Sequence, residues 1–225
     1  MQSTAMGYTT SPARLRRAAG MALALSIGLC VTTLASNAAQ AAEREAVKSL
    51  LEIRRDRAIV QEWDLSCGAA ALATVLRYQY GEQVSEREIA LGLIQREEYV
   101  NKPMLVRARQ GFSLLDLKRY AEQRGYQGVG YGKLGLGDLT EHAPVIVPVN
   151  FNGYNHFVVF RGVQGNRVAL ADPAWGNRTM RIERFLDAWI DTPQLGRTGF
   201  VVLRGDGTRG ENRLNPGPGD FVFLR

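Results

Sequence analysis

Cysteine and histidine are the scarcest reactive groups in this chain of 225 residues, with two of each. Two cysteines exclude a disulfide scaffold, and chemistry that needs an imidazole must draw on His142 or His156. Acidic residues are absent before Glu43. After residue 41 no apolar run is long enough to cross a bilayer. No heptad, collagen or solenoid period recurs, which excludes fibrous, coiled-coil and repeat architectures. A strong charge of one sign is lacking too: the excess is +6, and Arg14, Arg16 and Arg17 in the N-terminal stretch supply half of it. The scattered remainder makes no nucleic-acid groove, so no nucleic-acid partner is expected. What is present, 45% apolar and 22% charged residues, is the balance of a globular protein of one domain or two small ones.

Arg14, Arg16 and Arg17 precede an apolar run, Ala18 to Ala35, and then Ala39-Gln40-Ala41. This order predicts a secretory signal peptide over 1–41 with cleavage after Ala41. It places 42–225 outside the cytoplasm, in the periplasm. The competing reading is an uncleaved anchor, which would associate the chain with a membrane. Cys30 belongs to the signal, so the exported chain keeps one thiol, Cys67. A lone cysteine in an oxidising compartment is a candidate reactive group, against the plainer reading of a buried small hydrophobe.

Val47, Leu50, Leu51 and Ile53 give Glu43–Arg57 a helical apolar face, leading into a short strand, Ala58–Gln61. Ala70, Leu72, Ala73, Leu76 and Tyr80 predict an alanine-rich central helix from Cys67, ended by Gly81. Ser85-Glu86-Arg87-Glu88 reads as a capping box opening a helix to about Gln95. Ser113-Leu114-Leu115-Asp116 opens another, ending near Gly125. The pattern then turns extended: Val145–Phe151, Asn155–Val163 and Arg167–Ala171 are strand-like, separated by hairpin signals at Asn152-Gly153 and Gln164-Gly165-Asn166. A short helix, Ile182–Trp189, and strands at Phe200–Leu203 and Phe221–Leu224 follow. Helices first and strands second predict an α+β domain with its helices on one side of an antiparallel sheet.

Cys67 falls in the first turn of its helix, where free backbone N–H groups and the dipole favour negative charge. Gly68 and Ala69 behind it leave room for a substrate backbone. His156 opens a strand of apolar residues and is better held than His142, which precedes Ala143-Pro144 in a turn. If the hairpin pairs positions summing to 330, Asp172 is a same-face diagonal neighbour of His156 and can accept from its ring. A turn centred half a residue away would send the two to opposite faces. Gln61, six residues before Cys67, could donate to an oxyanion beside the Cys67 backbone N–H.

Gln61-Glu62-Trp63-Asp64-Leu65-Ser66-Cys67-Gly68-Ala69-Ala70, Asn155-His156-Phe157-Val158-Val159 and Ala171-Asp172-Pro173 resemble the bacteriocin-processing, double-glycine-leader cysteine peptidases, family thirty-nine of the cysteine peptidases. The likeness extends to Gly111-Phe112-Ser113-Leu114-Leu115-Asp116-Leu117 and to Pro144–Val149. It implies a papain-like fold over 42–225, with N-terminal helices packed on an antiparallel sheet. It also implies Cys67 as nucleophile, His156 and Asp172 as its partners, and Gln61 in the oxyanion hole. The reaction implied is hydrolysis of a polypeptide through a thioester, with no metal or organic cofactor. The chain has a signal sequence and no Walker A motif, and Ser66 stands where the transporter-linked members usually carry Asp. It therefore resembles the stand-alone exported branch, and more narrowly the peptidase-like component of a functional-amyloid secretion cluster. Amyloid subunits or components of their export machine are the partners this implies.

Other readings are weaker. Gly130-Tyr131-Gly132-Lys133-Leu134-Gly135 fits a dinucleotide fingerprint, but no helical pattern follows it and no acidic residue stands near the ribose position. Trp63, Trp175 and Trp189 read as packing anchors, with lining of a substrate cleft the alternative, since the first two flank the proposed catalytic loops. A papain-like docking or chaperone domain that binds a secreted partner without cleaving it is the competing function. A thiol oxidoreductase lacks its second exported cysteine.

Overall fold

The computed structural model describes residues 48–217. The expected signal peptide, the start of the expected Glu43–Arg57 helix and the expected Phe221–Leu224 strand lie outside the described residues.

The first described helix, α1 (Leu50–Arg55), is opened by Ser49, whose side chain and that of Glu52 cap each other reciprocally. Helix α2 (Cys67–Thr74) is buried along its whole length. Alanines at 69, 70, 71 and 73 make it thin enough to be surrounded, so it lacks the exposed face of an ordinary amphipathic helix. A five-residue π-helical turn, Val75–Gln79, continues it, and Gly81 ends it with a φ of +80°. Helix α3 (Glu86–Ile94) starts at Ser85, whose hydroxyl accepts from the Glu88 N–H at 3.2 Å. The reciprocal half of that box is absent, because the Glu88 carboxylate pairs with Arg124 at 2.9 Å. Two short helices, α4 (Glu97–Asn101) and α5 (Met104–Ala108), follow where the sequence shows no extended periodicity. Helix α6 (Leu114–Gln123) carries the complete Ser113/Asp116 capping box and buries Leu117, Tyr120 and Ala121.

Strand β1 (Gln127–Tyr131), helix α7 (Leu136–His142) and the meander β2 (Val145–Phe151), β3 (Tyr154–Gln164), β4 (Arg167–Asp172) and β5 (Gly176–Arg181) come next. Helix α8 (Ile182–Ala188), the two-residue strands β6 (Asp191–Thr192) and β7 (Gly196–Arg197), and β8 (Gly199–Leu203) complete the described chain. Six strands form one antiparallel sheet in the order β1-β8-β2-β3-β4-β5. One face, through Ile146, Val159, Ala171, Phe200 and Val202, packs on α2, α3 and α6.

The other face is also covered, which corrects the expectation of helices on one side only. Val147, Val158, Phe160 and Leu170 pack against Leu139 of α7 and Phe185 of α8. Helix α8 lies where the short helix Ile182–Trp189 is expected; α7, seven residues long, is too short for its periodicity to stand out from the strand pattern around it. Ala58–Gln61, expected as a strand, forms none. Its Ile59 N–H goes to the Thr74 hydroxyl at 3.0 Å and its Gln61 N–H to the Pro173 carbonyl at 2.8 Å, so its donors are spent off-ladder. A helix does follow the glycine motif, against expectation, but the Gly135 N–H at its start is taken by the Asp138 carboxylate at 2.7 Å. A carboxylate at that helix start opposes a pyrophosphate, and the dinucleotide reading stays excluded.

The register of β3 and β4 decides where Asp172 points. Around the turn the pairs are Gln164↔Arg167, Val163↔Val168 and Gly162↔Ala169; after an irregularity between Phe160 and Gly162 they become Phe160↔Leu170 and Val159↔Ala171. The turn is thus centred half a residue from the position that aligns His156 with Asp172. The bulge at Arg161 absorbs the difference. Arg161 is buried and held by the Leu214 carbonyl and the Asn177 side chain, both at 2.7 Å.

Candidate active site

Cys67 is the first residue of α2 and is 3% exposed. The chain reaches it through a tight loop in which Leu65 adopts a φ of +67°, a conformation that non-glycine residues hold only under constraint. Part of that constraint is Gly111: a Cβ there would lie 2.9 Å from the Leu65 carbonyl oxygen. Gly68 and Ala69 do not border a cleft as expected; both are buried, and a Cβ on Gly68 would meet Phe157 and Leu117 at 3.5 Å. Their small size brings the helix start close to β3.

His156, 5% exposed, and Asp172, 1% exposed, lie side by side on β3 and β4. The ring Nε2–H donates to Asp172 Oδ1 at 2.7 Å; a carboxylate can only accept, which fixes the proton on Nε2. Asp172 Oδ1 also accepts from the Ala174 N–H at 2.9 Å, and Oδ2 takes Arg178 Nη1 at 3.0 Å. The other ring nitrogen, Nδ1, is buried and makes no hydrogen bond of ordinary geometry, leaving it for the Cys67 thiol, which interacts with the ring. Burial opposes charge on the imidazole, but the hydrogen bond and charge of Asp172, with the Cys67 interaction added, prevail and lift its pKa from 6.5 to about 9. Burial likewise opposes charge on Asp172, and the bonds from His156, Ala174 and Arg178 outweigh it and hold that carboxyl below its usual range.

Gln61 is half-buried. Its Nε2 donates one hydrogen to the Trp63 carbonyl at 2.9 Å and keeps a second; its Oε1 is buried without a partner. Its backbone bond to Pro173 ties it to the turn that follows Asp172. His142 lies elsewhere, at the end of α7, stacked on Tyr131 at 4.8 Å. Trp189 is a buried anchor against Phe185, whereas Trp63 and Trp175 are 41% and 58% exposed. Two hollows meet at His156. One, of about 310 Å³, is lined by Cys67, Gln110, Phe112, Phe157 and Ile190. The other, of about 500 Å³, is lined by Asp172, Trp175, Arg178, Phe151 and Arg184.

Two site residues escaped the sequence reading. Arg178 lies on β5, a strand whose residues, Gly176-Asn177-Arg178-Thr179-Met180-Arg181, carry little apolar alternation. Glu86 is a buried carboxylate at the start of α3 that accepts from the Glu62 N–H at 2.8 Å and from the Ser66 hydroxyl. The signal that could have found it is a capping segment with more acidic groups than a cap requires.

A helix bearing a lone thiol at its start, set against an antiparallel sheet that presents a His–Asp pair, defines the class of papain-like cysteine peptidases. The Peptidase C39 family profile matches residues 55–192, and the chain belongs to that family.

Among its relatives are proteins named "Probable functional amyloid protease FapD" from Pseudomonas fluorescens, 40% identical over 144 residues, and from Pseudomonas aeruginosa, 38% identical over 144 residues. Each match takes in 64% of this chain and 61% of the relative, so the chain spans about six tenths of the length of these curated relatives. Of solved structures, a double glycine motif protease from an AMS/PCAT transporter, in complex with the leader peptide, aligns with a TM-score of 0.50 and 26% identity, covering 64% of this chain and 89% of that one. The peptidase domain of Streptococcus ComA aligns at 0.51 and 21%, covering 65% and 97%, and shares the fold.

Proposed function

We propose that this chain is an extracytoplasmic cysteine endopeptidase that cleaves an exported polypeptide, in the periplasm, as part of a secretion or functional-amyloid assembly system. The observation that carries the reading is the buried His156–Asp172 pair, with Nδ1 left over for Cys67. Cys67 attacks the scissile carbonyl as thiolate, and His156, holding its proton up to about pH 9, passes it to the leaving amine. Water activated by the then neutral imidazole hydrolyses the thioester. Asp172 fixes the ring and stabilises its charged form. Gln61 Nε2 and the Cys67 N–H receive the oxyanion; loss of one such donor costs about 3 kcal/mol of barrier.

The link to amyloid export rests on the relatives' name, and the extracytoplasmic site on the signal-like stretch before Glu43. Comparing the exported proteome of cells carrying wild-type protein and Cys67→Ala tests the whole reading. One or more exported polypeptides accumulate uncut with the variant, while its folding is unchanged. Identical proteomes would sink the reading.

A further inference from the structure

Glu86 is 4% exposed, and a carboxylate is rarely buried so far without a cation. None pairs with it among the described residues. Its hydrogen-bond partners are instead two groups of the loop that leads to the nucleophile, the Glu62 N–H and the Ser66 hydroxyl. Ser66 also contacts the Trp63 carbonyl at 2.6 Å, and that carbonyl accepts from Gln61 Nε2 at 2.9 Å. A continuous path therefore runs from Glu86 through Ser66 and Trp63 to Gln61. The peptide plane between Ser66 and Cys67 carries the Cys67 N–H, so holding Ser66 also orients that group.

We propose that Glu86 is the positioning residue of the oxyanion hole: through Glu62 and Ser66 it sets the curvature of the Gln61–Cys67 loop, so that the Gln61 amide and the Cys67 N–H converge on one point. The inference deepens the peptidase reading and rests on it. Glu86 touches no reacting atom and acts only through the loop. Ser66 has one hydroxyl hydrogen for two acceptors. A neutral amide at position 86, accepting from Glu62 and donating to Ser66, satisfies every group in the loop. The conservative variant should therefore preserve the geometry and a truncation should not.

Two probes separate the oxyanion hole from the thiol. Acetyl-glycyl-glycinal forms a hemithioacetal: the S–C bond forms from the Cys67 thiolate as the carbonyl π bond opens onto oxygen, which sits in the hole and either stays charged or takes the proton of the His156 imidazolium. Iodoacetamide alkylates the sulfur with loss of iodide and makes no oxyanion. In Glu86→Ala the aldehyde's inhibition constant should weaken roughly ten- to a hundredfold, with alkylation at pH 6 staying within about threefold of wild type. Glu86→Gln should restore aldehyde binding to within about threefold. Ser66→Ala, which removes almost no volume, should move the aldehyde constant the same way by a smaller factor.

Unchanged aldehyde binding in Glu86→Ala and Ser66→Ala, an equal fall of both probes, or a glutamine that fails to restore binding would each overturn the proposal. A wild-type protein that is alkylated but forms no hemithioacetal would instead remove the peptidase reading itself, before any substitution is compared.

Discussion

His156 owes its chemistry to two neighbours with opposing effects. Asp172 stabilises the protonated ring, while Arg178, 3.0 Å from the other carboxylate oxygen, draws on the same negative charge. The groups around the pair are Cys67 from α2, Tyr154 beside the ring on β3 at 5.9 Å, and Arg184 and Asp187 of α8, which line the hollow on the Asp172 side. With the imidazole pKa raised to about 9, the proton that the proposed mechanism gives to the leaving amine would be present below that pH and lost above it. The pH profile of kcat/KM should therefore fall on its alkaline side with an apparent pKa of about 9. Arg178→Gln removes the competing cation, so the imidazolium should persist to higher pH and this limb should move upward, with a few-fold lower kcat from the loosened carboxylate. A limb that stays put, or moves down, in that variant would show that Arg178 does not act on the pair. Nothing in the sequence pattern around Arg178 suggested this role, because its partner is reached across a strand pair and not along the chain.

At the scale of elements, what was legible were the helices with a cap and a face and the strands with strong apolar runs: α2, α6 and the β2–β4 meander lie where their patterns place them. Local residue chemistry carries that information. The site depended on a further feature that has no local signature. Asp172 and His156 align only because the bulge at Arg161 shifts the register by one, and the anchors of Arg161 come from Asn177 and Leu214, far along the chain. Arg161→Ala would leave those buried acceptors unpaired and should cost about 3 kcal/mol of unfolding free energy, read from urea denaturation; a loss below about 1 kcal/mol would mean the bulge is held by other contacts. Helix α1 meets the same region from outside. Gly176, paired with Asp172 in the ladder and at a φ of +79°, lies so close that a Cβ would fall 2.1 Å from the Arg54 carbonyl oxygen. Gly176→Ala should therefore displace α1 from β5, opening the chain near Arg55–Arg57 to trypsin and lowering activity through the Asp172 turn. An alanine variant as protease-resistant and as active as wild type would refute that coupling.

At the scale of the whole molecule, two hollows share His156. His156 lines both the hollow that holds Cys67 and the hollow that holds Asp172 and Trp175, so a polypeptide crossing the dyad need not end there. Chemistry assigns the two halves. In the proposed mechanism the acyl part stays bonded to Cys67 until water releases it and would occupy the Cys67 side, while the leaving peptide would run past the imidazole that protonates it, toward Trp175. Trp175 is 58% exposed, with its backbone carbonyl held by Arg54 at 2.8 Å and the Arg54 guanidinium over its ring at 5.3 Å. Its side chain can be removed with little cost to the core. With a peptide substrate, Trp175→Ala should lower kcat/KM about tenfold, as one aromatic contact of 1 to 2 kcal/mol would. With a p-nitrophenyl ester of the same acyl group, which has no leaving peptide to bind, the rate should stay within about twofold of wild type. An equal loss on peptide and ester would place Trp175 on the acyl side and reverse the assignment of the two hollows.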